Sequence, residues 1–251
     1  MSNNRDLRKI LIVLLCFTTL NASAGQAETS YKKIPRIVDT IKIDGNPRDW
    51  SGIPVFIQCD VSGVKDSSYI RVKSIKLAHN GKHLLILIEC RENISDFFKN
   101  NKRRTTIIGT LCLDTDNNLN TGATDFFFKK GGFESSIEFA TGINFGKGFG
   151  KISGMAGVVD EISDKELQYF LICTVSKYKD KNFVFEGEDV GSVDSEEKPE
   201  FISYRGAFIE ARITFEKLGI DPDSNRYIHI MYKDFLRYPG TEFPELIGVI
   251  E

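Results

Sequence analysis

Ala207-Phe208-Ile209-Glu210-Ala211-Arg212-Ile213-Thr214-Phe215 alternates strictly: Ala207, Ile209, Ala211, Ile213 and Phe215 fall on one side of an extended chain, Phe208, Glu210, Arg212 and Thr214 on the other. Successive side chains of a strand point to opposite faces, so the segment predicts a strand that covers a core with its apolar face. Leu84-Leu85-Ile86-Leu87-Ile88 is apolar at every position instead, which predicts a central strand buried on both faces. Strand patterns recur at Ile34–Ile43, Ile53–Cys59, Tyr69–Leu77, Thr106–Leu113, Ser135–Thr141, Lys151–Val159, Leu167–Val175, Phe183–Glu186 and Tyr227–Lys233. Helical signal is limited to two turns at Ile94–Asn101, with Asn93 as cap, and one turn at Phe215–Gly219 that Gly219 ends. Nothing alternates strand, helix and strand as a parallel sheet requires. Short strands joined by Gly, Asn and Pro turns predict an all-β fold, an antiparallel jelly-roll-type β-sandwich, with a barrel as the alternative.

Ahead of these strands, Arg5, Arg8 and Lys9 precede an apolar run from Ile10 to Leu20 that ends in Ala22-Ser23-Ala24. Basic, apolar and small-residue regions in that order predict a secretory signal peptide over residues 1–24. The run is too short to span a bilayer core, which needs about 20 apolar residues in a helix. Cys16 has Val13-Leu14-Leu15 before it rather than the small residues that precede a lipidated cysteine. The expected location is secreted, periplasmic or cell-surface, with no membrane span after cleavage. Residues 25–40 then form an N-terminal extension and 41–251 one sandwich domain, a size common for such folds.

The composition, 41% hydrophobic with 19 Phe and 8 Tyr, supports a substantial core and favours strands. A formal charge of −2 carries no sign of the basic face that nucleic acid demands. Cys59, Cys90, Cys112 and Cys173 have no zinc-type spacing. Export permits disulfides, and burial of each as a small hydrophobe is the equal alternative. If Leu84–Cys90 and Thr106–Leu113 are neighbouring antiparallel strands, Cys90 and Cys112 lie at opposite ends and cannot bridge. Gly142 to Gly157 reads as a glycine-rich hairpin rather than a phosphate cradle, since it leads no strand into a helix. Glu186 to Glu200, with seven acids and only Lys198 as a cation, reads as a solvated acidic loop.

The segment with the most chemistry is Leu113-Asp114-Thr115-Asp116-Asn117-Asn118-Leu119-Asn120-Thr121-Gly122-Ala123-Thr124-Asp125. Calcium takes six to eight hard oxygen ligands, which a loop with acids or amides at alternate positions can turn inward. Asp114, Asp116 and Asn118 occupy positions 1, 3 and 5 of such a loop, Asn120 offers a carbonyl at 7, and Asp125 falls at 12. Leu119 stands where an EF-hand has glycine, and strands rather than helices flank the loop. Three carboxylates within twelve residues repel one another unless a cation joins them, so Ca2+ is the expected cofactor.

A second segment, Ile41-Lys42-Ile43-Asp44-Gly45-Asn46-Pro47-Arg48-Asp49-Trp50, joins turn signals to the chain's single tryptophan. With the Asp-Thr-Asp-Asn-Asn loop, Thr121-Gly122, the strand His83–Glu89 and the stretch Glu210–Gly219, it resembles the family-9 carbohydrate-binding modules and the related DOMON-like sandwiches. The resemblance runs from about Ile41 to the C-terminus. It implies a jelly-roll sandwich, structural calcium and, in some members, a sugar held between aromatic rings. The chain departs from the family at that last point, because Trp50 is expected to pack beneath the opening turn and leaves no second tryptophan. Arg237 and Tyr238, on a loop before Pro239-Gly240, are the candidate carbohydrate-binding pair.

The chain holds no Gly-x-Ser-x-Gly, no His-Glu-x-x-His and only three histidines, so a non-catalytic binding module is expected. A carboxylate-pair glycosidase is the enzyme class left open. Two further alternatives stand: a haem-binding DOMON-type electron-transfer domain drawing ligands from Met155, Met231, His79, His83 and His229, and a structural or adhesive surface protein that calcium only stiffens.

Overall fold

The computed structural model describes residues 31–38, 41–59, 69–100, 107–123, 132–144, 168–179, 182–192, 201–233 and 245–251. The compact unit runs from Tyr31 to Glu251. In order it comprises β1 (Tyr31–Ile34), a 3-10 turn (Pro47–Trp50), β2 (Ile57–Gln58), β3 (Val72–His79), β4 (His83–Cys90), α1 (Ile94–Asn100), β5 (Ile107–Asp114), β6 (Ser135–Asn144), β7 (Gln168–Lys179), β8 (Asn182–Ser192), β9 (Ile202–Arg205), β10 (Phe208–Thr214), α2 (Phe215–Leu218), β11 (Tyr227–Lys233) and β12 (Glu245–Ile250). Two sheets form, in the strand orders β2-β3-β4-β10-β9 and β1-β12-β11-β5-β6-β7-β8.

The all-apolar run lies on β4, the middle strand of the smaller sheet, and both of its faces are buried as expected. Leu84, Ile86 and Ile88 point into the main core, where they meet Ile209, Ala211 and Ile213 of β10. Across the core stand Leu111 and Leu113 of β5, Ile137 and Phe139 of β6, and Ile228 and Ile230 of β11. One apolar cluster between two sheets makes the fold an all-β sandwich. Each aliphatic side chain so buried contributes about 1.5–3 kcal/mol before entropy is counted. Leu85 and Leu87 point the other way, into a second cluster with Ile41, Trp50 and Ile53. The chain before β2 therefore covers the outer face of the smaller sheet.

That cover is fastened by a buried acid. Glu210 is fully buried. Its Oε1 accepts from Trp50 Nε1 at 2.7 Å, and its Oε2 accepts from the backbone N–H of Gly45 at 2.6 Å and of Asp44 at 2.8 Å. Trp50 is itself wholly buried, as expected, and its carbonyl accepts from Lys76 Nζ at 2.9 Å. Gly45 has φ +75°, and a Cβ there would stand 2.4 Å from the backbone of Tyr204, so only glycine lets the turn approach β9. The alternation of Ala207–Phe215 thus holds, while its second face is covered rather than outward at Glu210. The strand pattern could not show that a segment some 160 residues earlier would fold over it.

Both helical expectations hold: Asn93 Oδ1 accepts from the Asp96 N–H at 3.2 Å at the start of α1, and Gly219 ends α2 with φ +69°. Other expectations need correction. Ile34–Ile43 is not a strand beyond β1, because residues 36–38 and 41–43 serve as cover; Arg36 makes a single bridge to His79. β1 pairs in parallel with β12, an exception to the antiparallel rule. The acidic stretch is not all loop: Glu186 to Ser192 continue β8, which pairs with β7. β4 and β5 belong to different sheets rather than being neighbours, since α1 carries the chain across. All four described cysteines are buried thiols outside any disulfide, and burial pushes the Cys90 thiol up from its ordinary pKa. The expected strand Lys151–Val159 and most of Gly142 to Gly157 lie outside the described residues. No described helix is long and apolar enough to cross a membrane.

Candidate metal centre

β5 is buried at all eight positions and ends on Asp114. Pairing His229 with Asp114, and Met231 with Cys112, sets these four on the outer face of the larger sheet. Phe133 packs against Cys112 and Met231, which anchors the returning chain on that face. The Glu134 N–H donates to Leu113 O at 3.0 Å, and Ala123 and Phe133 form a bridge. The residue after the anchor, Glu134, is thereby held beside Asp114.

The loop between these strands curls through local bonds. Asp116 Oδ1 accepts from the Asn118 N–H at 2.9 Å, and Asn118 Oδ1 accepts from the Asn120 N–H at 3.1 Å. Such turns on Asp and Asn side chains are how short polar loops close without a ladder. Asn117 takes the left-handed conformation, φ 56°, a region that asparagine tolerates. A Cβ on Gly122 (φ +66°) would fall 2.5 Å from Glu134 Oε1, so the loop needs glycine where it passes the acid. The Thr115 N–H donates to Glu134 Oε2 at 2.7 Å, and Asn225 Nδ2 donates to Thr115 O at 2.7 Å, tying the loop to the approach to β11.

The outcome is a cluster of Asp114, Asp116 and Glu134 with carboxylate oxygens within 4.8 Å of one another, a set able to hold a metal ion. Two features make it electrostatically incomplete. Asp114 is fully buried and its Oδ2 has no hydrogen-bond partner. Thr121 Oγ1 lies 2.8 Å from Asp116 Oδ2, 3.0 Å from Asp116 Oδ1, 2.8 Å from Asn118 O and 3.3 Å from Glu134 Oε1. One hydroxyl proton cannot satisfy all of these acceptors. Burial first, then the charges of Asp116 and Asp114, hold the Glu134 carboxyl above the usual range even though the Thr115 N–H opposes this. His229 Nδ1 approaches Asp114 Oδ2 only to 3.9 Å, beyond a hydrogen bond.

Of the residues expected at the site, the structure brings Asp114 and Asp116 together. Asn118 adjoins them through its backbone N–H, which donates to Asp116 Oδ1 at 2.9 Å and to Asp114 Oδ1 at 3.3 Å, its side chain being engaged with Asn120, and both asparagines are exposed. Asp125 lies outside the described residues, as do Arg237 and Tyr238. Sequence reasoning missed Glu134, because loop spacing counts only residues within one loop; a carboxylate opening the partner strand was the signal to use. Among the histidine and methionine alternatives, Met231 is enclosed with Phe133 and Cys112, and the His79 ring packs 5.8 Å from that of Phe215. Met155 lies outside the described residues.

No family model and no curated protein matches this chain. Among solved structures it is similar to the crystal structure of a proposed carbohydrate-binding protein from Bacteroides uniformis, at 11% identity, over 89% of this chain and 100% of that one, with a TM-score of 0.34. A likeness this slight bears on neither fold nor function.

Proposed function

We propose that the chain is an exported, non-catalytic β-sandwich module that holds calcium at Asp114, Asp116 and Glu134 and binds a carbohydrate. The observation that carries the calcium reading is Asp114 Oδ2, a buried acid oxygen with no hydrogen-bond partner, on a carboxylate that lies within 4.8 Å of those of Asp116 and Glu134. A buried, unpaired charge costs several kcal/mol, and two like charges nearby add to that cost. A divalent cation removes both penalties together. All donors at the cluster are hard oxygens, Asp116 and Thr121 are exposed, and water can complete a shell of six to eight, which suits calcium above softer metals. The carbohydrate reading rests on the sequence resemblance carried by the Asp44–Trp50 opening and the Asp114 loop.

Protein freed of metal is melted in calcium, in magnesium and in chelator, then applied to a glycan array with and without calcium. The reading expects a calcium-specific rise of the midpoint and saccharide capture. Identical melts in calcium and chelator remove the metal; an empty array removes the sugar and leaves a calcium-stiffened structural protein.

A further inference from the structure

Between the covering segment and the outer face of the smaller sheet lies a cavity of about 440 Å³, lined by Arg36, Ile37, Val38, Asn80, Leu85 and Arg212. A larger one of about 700 Å³ adjoins it, shares Arg36, Ile37 and Val38, and adds Arg48 and Asp49. Arg212 is paired in register with Leu85, so its side chain stands over the sheet on the covered face. It is half-buried, its Nε is buried with no hydrogen-bond partner, and its charge faces the Phe201 ring, 5.9 Å away, in place of an acid. Arg36 reaches the same cavity from the covering segment, near the Asn80–Gly81 turn. Neither arginine has an ion pair among the described residues. The nearby acids are engaged: Glu210 accepts from Trp50, Gly45 and Asp44, and Asp49 accepts from the Lys42 N–H at 3.3 Å. A guanidinium partly out of water beside a second one is stabilised by an anion, and its planar fork fits a carboxylate in bidentate fashion. Ile37, Val38 and Leu85 offer apolar walls, which a bare inorganic anion would leave uncovered and the C–H face of a sugar ring would cover.

We propose that this cavity binds the carboxylate of a hexuronate residue through Arg212 and Arg36, with the ring lying against Ile37, Val38 and Leu85. The proposal rests on the carbohydrate reading and names its ligand class. Calorimetry with the full chain compares a galacturonate trisaccharide, the neutral galactose trisaccharide and N-acetylglutamate. The expected result is saturable binding of the galacturonate trisaccharide, at least tenfold weaker binding of the neutral one, and weakening as salt is raised. Arg212→Gln and Arg36→Gln should each lower the affinity at least tenfold at an unchanged melting midpoint; Arg36 is exposed, so its variant keeps the test decisive if the other fails to fold. Equal binding of acidic and neutral trisaccharides, or affinity that neither variant changes, overturns the hexuronate assignment and leaves carbohydrate binding standing. Binding of N-acetylglutamate alone overturns both.

Discussion

Two carboxylates are buried among the described residues, and they are treated in opposite ways. Glu210, on the smaller sheet, receives three N–H donors, from an indole and two backbone amides. Asp114, on the larger sheet, keeps one oxygen without any donor and lies within reach of Asp116 and Glu134. A buried carboxylate whose acceptors are filled by the fold is a structural fastener. One with an acceptor left open among like charges is, on the proposed reading, a place for a cation.

The sharpest way to break it is to remove the partner of the satisfied acid. Trp50→Ala empties the cluster of Ile41, Ile53, Leu85 and Leu87 and strips Glu210 of its indole donor. It should cost about 3–5 kcal/mol, read by denaturant unfolding, and equally so with or without calcium. A variant that folds normally but loses ligand would make Trp50 a binding platform instead.

The counterpart on the other sheet is the loss of the cation. Calcium at 100 times its dissociation constant adds about 2.7 kcal/mol to a site that exists only when folded. In a domain of this size that raises the melting midpoint by roughly 5–11 °C over chelator. Asp116→Ala should abolish most of the rise, while Trp50→Ala should retain it. Asp116→Ala that melts as wild type in both conditions would place any calcium elsewhere.

Glu210→Gln is the smaller and more discriminating change. The amide keeps one acceptor and puts an NH2 against donors, so at least one of Trp50, Gly45 and Asp44 loses its bond. The expected cost is about 1–3 kcal/mol, with the calcium response intact. A variant as stable as wild type would show that the fastening is packing alone.

How much of this was legible in the sequence follows from the range of the forces involved. The periodicity of Ala207–Phe215 and the unbroken apolar run of Leu84–Ile88 report local burial, and they placed β10 and β4 correctly. Trp50 could be read as buried because turn chemistry surrounds it. The burial of Glu210 could not, because its donors come from residues about 160 positions away. At the candidate metal centre the loop spacing found Asp114 and Asp116, and it missed Glu134, whose place is set by the β5–β6 register and by Phe133 packing on Met231 and Cys112. Contacts set by strand register leave no mark in a spacing motif.

The last and smallest effect concerns acidity, and it sharpens the contrast at Glu134. Burial and the neighbouring acids hold its folded-state pKa above the unfolded value of 4.5. An acid raised in this way binds its proton more tightly when folded, so its contribution to stability is greatest below the unfolded pKa and is lost as pH climbs through the folded one. In chelator, therefore, lowering the pH from neutral toward about 5 should protect the fold at this locus. Calcium acts in the reverse direction, since a cation beside the carboxylate favours its ionised form. The calcium-induced rise in melting midpoint should then be larger at pH 7 than near pH 5, with Glu134→Gln flattening the difference. Glu210, whose pKa burial also raises, meets no cation, so Glu210→Gln should leave the pH dependence of the calcium response as it is in the wild type. A calcium response of the same size at both pH values would mean that Glu134 does not share the ion with Asp114.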